Sequence, residues 1–284
     1  MRVTKYSGEL VPFNVDSLKH SLVRSGADDD QVDQVYKDID SHLYDGISTR
    51  ELYELAFDSL KKQRNSFAAR YSLKKALRDL GPEGFYFEDW IGRLFSEEGY
   101  QTVTGQVVQG HAVSHEIDVV AVKEGEGMLA IECKFRNDVD AKISVTTPMY
   151  FMSRVKDIKD KDFEFFGKKR QFTDGWLVTN AYLTSDTKDF GAYYKLNLLS
   201  WDYPSENSIK ARVDHKGLYP ITCLTNLSEI EKKELLKKRC ILVLDLVKNP
   251  TFLDKLGIAE AKKKTILLEA NELCSQCNFS TRKK

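Results

Sequence analysis

The chain has 284 residues and 32.6 kDa, with 42% hydrophobic and 30% charged residues, which supports buried cores in two or three domains and excludes a disordered or collagen-like chain. Five irregularly spaced cysteines are too few for a disulfide scaffold, and neither a charged-then-apolar leader nor a run of roughly 18 apolar residues is present, so a soluble, cytoplasmic protein without membrane attachment is expected. The 43 Lys+Arg balance the 43 Asp+Glu overall, but residues 1–84, 85–204 and 205–284 carry −1, −5 and +6. A basic end and an acidic middle suit phosphate attraction and metal-binding carboxylates respectively; a solvated lysine-rich helical surface accounts for the basic end equally well.

In chain order, Val3 to Lys5 and Val11 to Phe13 flank Ser7-Gly8 and predict a β-hairpin. Leu18/Leu22, Val32/Val35/Ile39/Leu43, Leu52/Leu55/Leu60 and Leu73/Leu77/Leu80 then recur at helical spacing, up to a break at Gly81-Pro82-Glu83-Gly84. A helix carrying Phe87, Trp90, Ile91, Leu94 and Phe95 opens the middle segment. Strands follow near Gln101–Val107, Glu116–Val122 and Met128–Phe135, with a helix around Thr147–Ile158. A strand at Gly175–Asn180, a helix at Ser185–Lys195 and a strand at Leu196–Trp201 complete a mixed sheet covered by helices on both faces. Tyr203-Pro204 closes it. The remainder is helical, with a helix, a turn at Gly257 and a lysine-rich helix.

The chemistry gathers on two adjacent strands. Side chains alternate faces along a strand, so Glu132 and Lys134 share one face, as do Glu116 and Asp118. A turn through Glu124-Gly125-Glu126-Gly127 returns one strand beside the other and brings the two carboxylates and the ammonium together. Charges inside apolar strands are costly unless paired or metal-bound. Asp118 and Glu132 supply the small carboxylate number that Mg²⁺ or Mn²⁺ takes, with Lys134 to position a water, the arrangement of metal-assisted phosphodiester hydrolysis. A salt bridge on a partly solvated sheet face remains the plain structural alternative.

Residues 85–204 resemble the Mrr-like restriction endonucleases of the PD-(D/E)xK nuclease superfamily, through Phe87-Glu88, Glu116-Ile117-Asp118, Ile131-Glu132-Cys133-Lys134, Leu177-Val178-Thr179-Asn180 and Leu198-Leu199-Ser200-Trp201. The resemblance implies that Asp118 and Glu132 ligate metal, that Lys134 is the catalytic lysine and that Glu88 is an accessory carboxylate. Ile117 stands where the motif's proline would be, and the glutamine common on the following helix has no match in Thr147–Ile158.

Residues 1–84 resemble the ATP-cone, a regulatory nucleotide-binding module, through Val3-Thr4-Lys5, Ser7-Gly8, Phe13-Asn14, Tyr44-Asp45-Gly46-Ile47 with Thr49, and Ala68-Ala69-Arg70. That likeness implies ATP or dATP contacts at Val3, Lys5, Asn14, Thr49 and Arg78, with Ser17 in place of a usual lysine. Residues 222–270 loosely resemble helix-hairpin-helix domains, which implies phosphate contacts by Lys262, Lys263 and Lys264. The Cys274-Ser275-Gln276-Cys277 pair would need two more ligands to hold zinc, with Cys223 and Cys240 available only from apolar runs. The expected protein is a multidomain α/β chain: an ATP-cone, a mixed-sheet nuclease domain and a basic helical domain over 205–284. Its expected activity is Mg²⁺-dependent cleavage of double-stranded DNA under allosteric control by ATP or dATP, as a homo-oligomer, in restriction or defence. A nucleotide-responsive DNA-binding regulator and a structure-specific repair nuclease are the competing readings.

Overall fold

The computed structural model describes residues 1–81 and 84–275 and divides into two compact units, residues 1–76 with 219 onward, and residues 77–218. Cys277 lies outside the described residues.

In the first unit β1 (Arg2–Thr4) and β2 (Leu10–Pro12) form the expected antiparallel hairpin. Helices α1 (Val15–Val23), α2 (Asp29–Asp40), α3 (Thr49–Gln63) and α4 (Asn65–Tyr71) follow. Their starts are written in short polar residues. Asn14 and Ser48 each accept the backbone N–H three residues on, and Asp28 with Gln31 forms a reciprocal capping box. Val3, Leu22, Val35, Ile39, Ile47, Ala56, Leu60 and Phe67 are buried together beneath the hairpin. Helix α5 (Leu73–Arg78) ends the segment.

The rest of this unit comes from the C-terminal segment, with α10 (Glu229–Lys237), α11 (Val243–Lys248) and α12 (Glu260–Ser275); α9 (Ile209–Lys216) belongs to the second unit. Helix α12 packs on α4. Ser66 Oγ donates to Glu272 Oε2 at 3.0 Å, Arg70 reaches the Leu273 carbonyl, and Thr222 Oγ1 donates to the Ala76 carbonyl at 2.7 Å. Buried Glu269 accepts the backbone N–H groups of Thr225 and Asn226 and so ties α12 to the loop before α10. The element ahead of Gly257 is two 3₁₀ turns, Pro250–Phe252 and Asp254–Leu256, instead of an α-helix, because Pro250 has no N–H to continue α11.

The second unit is built on a five-stranded sheet ordered β11-β9-β5-β4-β3. Strands β3 (Gln101–Gln109), β4 (Ser114–Lys123) and β5 (Gly127–Lys134) form an antiparallel meander, and β9 (Asp174–Thr179) and β11 (Asn197–Leu199) add in parallel. Helix α6 (Phe85–Ser96) packs on β3 and β4 from one face, where a Cβ at Gly92 would meet Thr104 and Val119. Helices α7 (Thr146–Ile158) and α8 (Ser185–Tyr194) serve β9 and β11 from the other, each following a strand of the short parallel pair β6 (Lys142–Ile143) and β10 (Tyr182–Leu183). A Cβ at Gly175 would lie 2.7 Å from Val155, so glycine there admits α7 to β9. Between α7 and β9 a small hairpin, β7 (Phe163–Phe165) and β8 (Lys168–Arg170), packs its phenylalanines with Phe172, Val120 and Val122. The unit continues past Tyr203-Pro204 into α9, where Arg212, 6% exposed, pairs with Glu98 at 3.0 Å and lies against the rings of Phe95 and Trp176.

Candidate active site

Strand β4 is distorted at one residue, Asp118. Its ladder with β5 runs from Lys123↔Gly127 to Val119↔Ile131 and stops, and its ladder with β3 passes from Thr104↔Val119 to Gln106↔Ile117 without pairing residue 118. Gly105 occupies the skipped position on β3 at φ 62°, a left-handed conformation glycine tolerates without a Cβ clash. Strand β5, freed from β4, stays paired to β9 through Glu132↔Leu177 and Lys134↔Thr179. Asp118 bridges the gap instead: its Oδ2 accepts the Cys133 N–H at 2.7 Å.

Glu132 is 2% exposed, a costly position for a carboxylate unless it is paired. Lys134 Nζ lies 2.5 Å from Oε1 and Arg154 Nη1 2.8 Å from Oε2. The expected face-sharing of Glu132 and Lys134 is thus a direct contact. Arg154 is the residue that sequence reasoning missed. It comes from α7, gives a second N–H to the Tyr150 hydroxyl at 3.3 Å, and lies 4.8 Å from that ring's centre. Its Nε is buried with no hydrogen-bond partner among the described residues. The available signal was the four-residue spacing of Tyr150 and Arg154 on the helix that lacks the expected glutamine.

Glu88 stands in the first turn of α6 and lines, with Gly84, Cys133, Lys134, Phe135, Arg136, Asn137 and Asp138, a cleft of about 400 Å³. Burial, reinforced by the charges of Asp118, Glu116, Asp89 and Glu132, pushes the Glu88 carboxyl up to about 7. Burial and the Glu132 charge likewise push Asp118 up to about 6, against the Cys133 N–H, Lys134 and Arg154. Negative charge is therefore crowded here beyond what the two cations relieve. Among the described residues no three His, Cys, Asp or Glu side chains form a ready metal cage. A small number of carboxylates is what Mg²⁺ accepts, because it keeps much of its water shell. The donor set of Asp118 and Glu132 fits such an ion, each oxygen retaining acceptor capacity beside its present partner. His111 and His115 are bound elsewhere, to the Lys159 carbonyl at 3.0 Å and to Asp157 at 2.7 Å, and brace the β3–β4 turn against the end of α7.

The nucleotide-site candidates in the first unit lie along β1. Thr4 bridges Ser48, which sets Lys5 beside Thr49 at the start of α3, while Asn14 caps α1 beyond the other end of the strand, where Phe13 bonds to Met1. Val3 is buried between them. Lys5 pairs at 3.0 Å with Glu9, both side chains solvent-exposed. Arg78 closes α5 and falls within the second unit.

Of the C-terminal lysines, Lys262 holds Glu231 at 2.7 Å and Lys263 holds Asp254 and Glu260 at 2.8 and 2.7 Å. Lys264 is exposed with no partner among the described residues. Cys274 is half-buried in α12, and Cys223 and Cys240 are buried in the same unit.

A mixed sheet with paired helices and charges at its splayed strand ends is a nuclease-type architecture, and comparison with known proteins agrees. Residues 81–202 match a restriction endonuclease family, the Mrr catalytic domain; residues 1–80 match the ATP cone domain, and residues 219–274 the AF1548-like C-terminal domain. An uncharacterized protein of Archaeoglobus fulgidus is 32% identical over 184 residues, 64% of this chain and 99% of that protein. The crystal structure of AF1548, a protein of unknown function, is similar with a TM-score of 0.54 at 29% identity, covering 67% of this chain and 97% of that one. The chain belongs to the family of this archaeal protein, as a restriction-endonuclease domain with an AF1548-like C-terminal domain behind it and an ATP-cone in front.

Proposed function

We propose that the chain is a Mg²⁺- or Mn²⁺-dependent endodeoxyribonuclease of the PD-(D/E)xK type that cleaves double-stranded DNA, with ATP or dATP bound at the ATP-cone controlling its activity. The observation that carries the reading is the meeting of Asp118, Glu132 and Lys134 where β4 parts from β5.

In this reading Asp118 and Glu132 would hold the ion, which when bound would supply positive charge to offset that developing on the phosphate. Lys134, an ammonium held by Glu132, donates an N–H to the attacking water and orients its lone pair toward phosphorus. Arg154 fixes the Glu132 carboxylate in place. Glu88, titrating near 7 beside the cleft, is suited to take the water's proton at neutral pH, since a general base works best with a pKa near the ambient pH. The new P–O bond forms to water's oxygen, the ester P–O bond breaks, and the leaving sugar oxygen takes a proton from solvent.

At the other module, Lys5 and Thr49 lie where polyphosphate charge would be met, with no nucleophile or base among the candidate contacts, so the nucleotide is bound and not consumed. Control is exerted through self-association, with the nucleotide favouring one assembly. Restriction or defence against foreign DNA is the setting this combination fits. The test is cleavage of supercoiled plasmid with Mg²⁺ present or absent, crossed with ATP and dATP. Metal-dependent nicking or linearisation that Asp118→Ala abolishes supports the reading, and equal cleavage by that variant rejects it.

A further inference from the structure

The hairpin β7–β8 joins its strands by only two residues, Phe166 and Gly167, both with positive φ, 51° and 71°. That is the two-residue turn matching the twist of a hairpin, and its first position is ordinarily filled by Asn, Asp or Gly. An aromatic residue there is strained, and the ring of Phe166 stays 40% exposed, with its centre 6.5 Å from that of Phe165. Backbone strain held in place by a well-packed surround points to a use for the strained side chain. The surround here is firm, because Phe163 and Phe165 pack with Phe172 against the core.

Three consecutive cations follow the tip. Lys168 and Arg170 meet Glu124 at 3.5 and 3.2 Å, whereas Lys169 is exposed with no partner among the described residues, across the ladder from Glu164. The hairpin packs against Val120 and Val122 of β4, which lie just past the distortion at Asp118. Six residues of β4 and its turn, from Asp118 to Glu124, span about 20 Å at roughly 3.4 Å per residue. That corresponds to about six base pairs of duplex.

We propose that Phe166 is a wedge that enters the duplex DNA held by the nuclease domain and partly unstacks it about six base pairs from the cut, with Lys169 on the adjoining phosphate. This rests on the reading of the chain as a DNA nuclease. Apolar side chains inserted between base steps, flanked by cations, are a recurrent way of kinking DNA. Lys169, an exposed cation three residues along the chain from the ring, favours a polyanion over an apolar protein partner.

The test uses the full chain with Phe166→Asn and Lys169→Ala, and a 30-base-pair duplex carrying 2-aminopurine at successive positions, in EDTA so that it stays uncut. Wild type should raise 2-aminopurine emission at one step, and Phe166→Asn should lose that signal and bind about tenfold more weakly with an unchanged salt slope. Lys169→Ala should keep the signal and flatten the log–log salt slope by about 0.9. Because Asn accepts the left-handed turn, Phe166→Asn should also raise the thermal midpoint by about 2–4 °C. A variant that binds and unstacks like wild type overturns the wedge while leaving the nuclease reading intact, as does one that melts earlier. Loss of binding to anionic phosphatidylserine vesicles with duplex binding unchanged assigns the tip to a lipid surface and also overturns it. A wild type that neither binds nor cuts duplex fails both readings.

Discussion

Arg154 Nη1 lies 2.8 Å from Glu132 Oε2 while Lys134 takes the other oxygen, so a carboxylate with almost no solvent contact sits between two cations. The pairing makes Glu132 tolerable inside the sheet and fixes the orientation of its carboxylate. A divalent ion at this carboxylate would compete with Arg154 for the same charge.

Replacing Arg154 by alanine leaves one Glu132 oxygen short of its partner, at a cost of about 1–3 kcal/mol. The thermal midpoint of Arg154→Ala should fall without metal, recover when Mg²⁺ is added, and show a larger Mg²⁺-induced shift than wild type. Thermal unfolding across a Mg²⁺ titration checks this. A variant that Mg²⁺ does not rescue would show that Arg154 braces the fold independently of the metal site.

Glu132→Ala is the harsher change, since it leaves Lys134 and Arg154 facing one another; removing one partner of a buried pair typically costs about 3–5 kcal/mol. Glu132→Gln keeps the shape and is the better probe of chemistry. Asp118→Asn, Glu132→Gln and Lys134→Ala should each lower cleavage at least a hundredfold while duplex binding in EDTA changes little. Circular dichroism with single-turnover kinetics separates folding from chemistry.

The raised carboxyls give a pH dependence with a definite sign. Asp118 and Glu88 titrate near 6 and 7, above the ordinary range, so the folded state holds protons the unfolded chain has lost. Their contribution to stability is complete below about pH 4 and is lost as pH rises through 6 and 7. A bound cation reverses this by favouring the ionised forms. The Mg²⁺-induced rise in thermal midpoint should therefore grow from pH 5 to pH 8 and flatten above it, and Mg²⁺ binding at pH 6 should release protons measurable in weakly buffered solution. A Mg²⁺ shift independent of pH contradicts the assignment.

Lys262 and Lys263 are paired with carboxylates of their own unit, so of the three lysines proposed to contact DNA only Lys264 is without a partner among the described residues. Lys264→Ala should flatten the salt dependence of duplex binding by about 0.9, whereas Lys262→Ala should chiefly loosen the tie between α12 and α10. A triple lysine variant with an unchanged slope removes this helix from the DNA-binding surface.

Nucleotide control predicts that Lys5→Ala abolishes ATP- or dATP-dependent changes in mass by light scattering and alters cleavage without shifting the Mg²⁺ requirement. Tight nucleotide binding by wild type with no change in mass or rate contradicts it.

The parts legible in the sequence were those whose signal is local. Alternation in His115–Val122 and Met128–Phe135, with the Gly125–Gly127 turn between them, was enough to put Asp118 on one strand and Glu132 and Lys134 on its neighbour, and helical spacing located α1 to α4. What escaped depends on contacts between distant segments. Arg154 looks like any helix-surface cation until α7 is laid beside Glu132. The packing of α12 on α4 joins residues some two hundred positions apart, as in the Ser66–Glu272 bond, and no period announces it. The Phe166-Gly167 turn was missed because an aromatic residue stands where turn chemistry normally shows Asn or Asp. The break at Asp118 was equally silent, since Gly105 within an alternating strand does not reveal which partner residue it faces.

The central claim is that Asp118, Glu132 and Lys134 form a metal-dependent phosphodiesterase site. Single-turnover cleavage of supercoiled plasmid by wild type and Asp118→Asn, each with Mg²⁺ and with EDTA, tests it most directly. Nicked or linear product should form only for wild type with Mg²⁺, while both proteins bind the plasmid in EDTA. Cleavage by Asp118→Asn at the wild-type rate, or cleavage by wild type undiminished in EDTA, would contradict it.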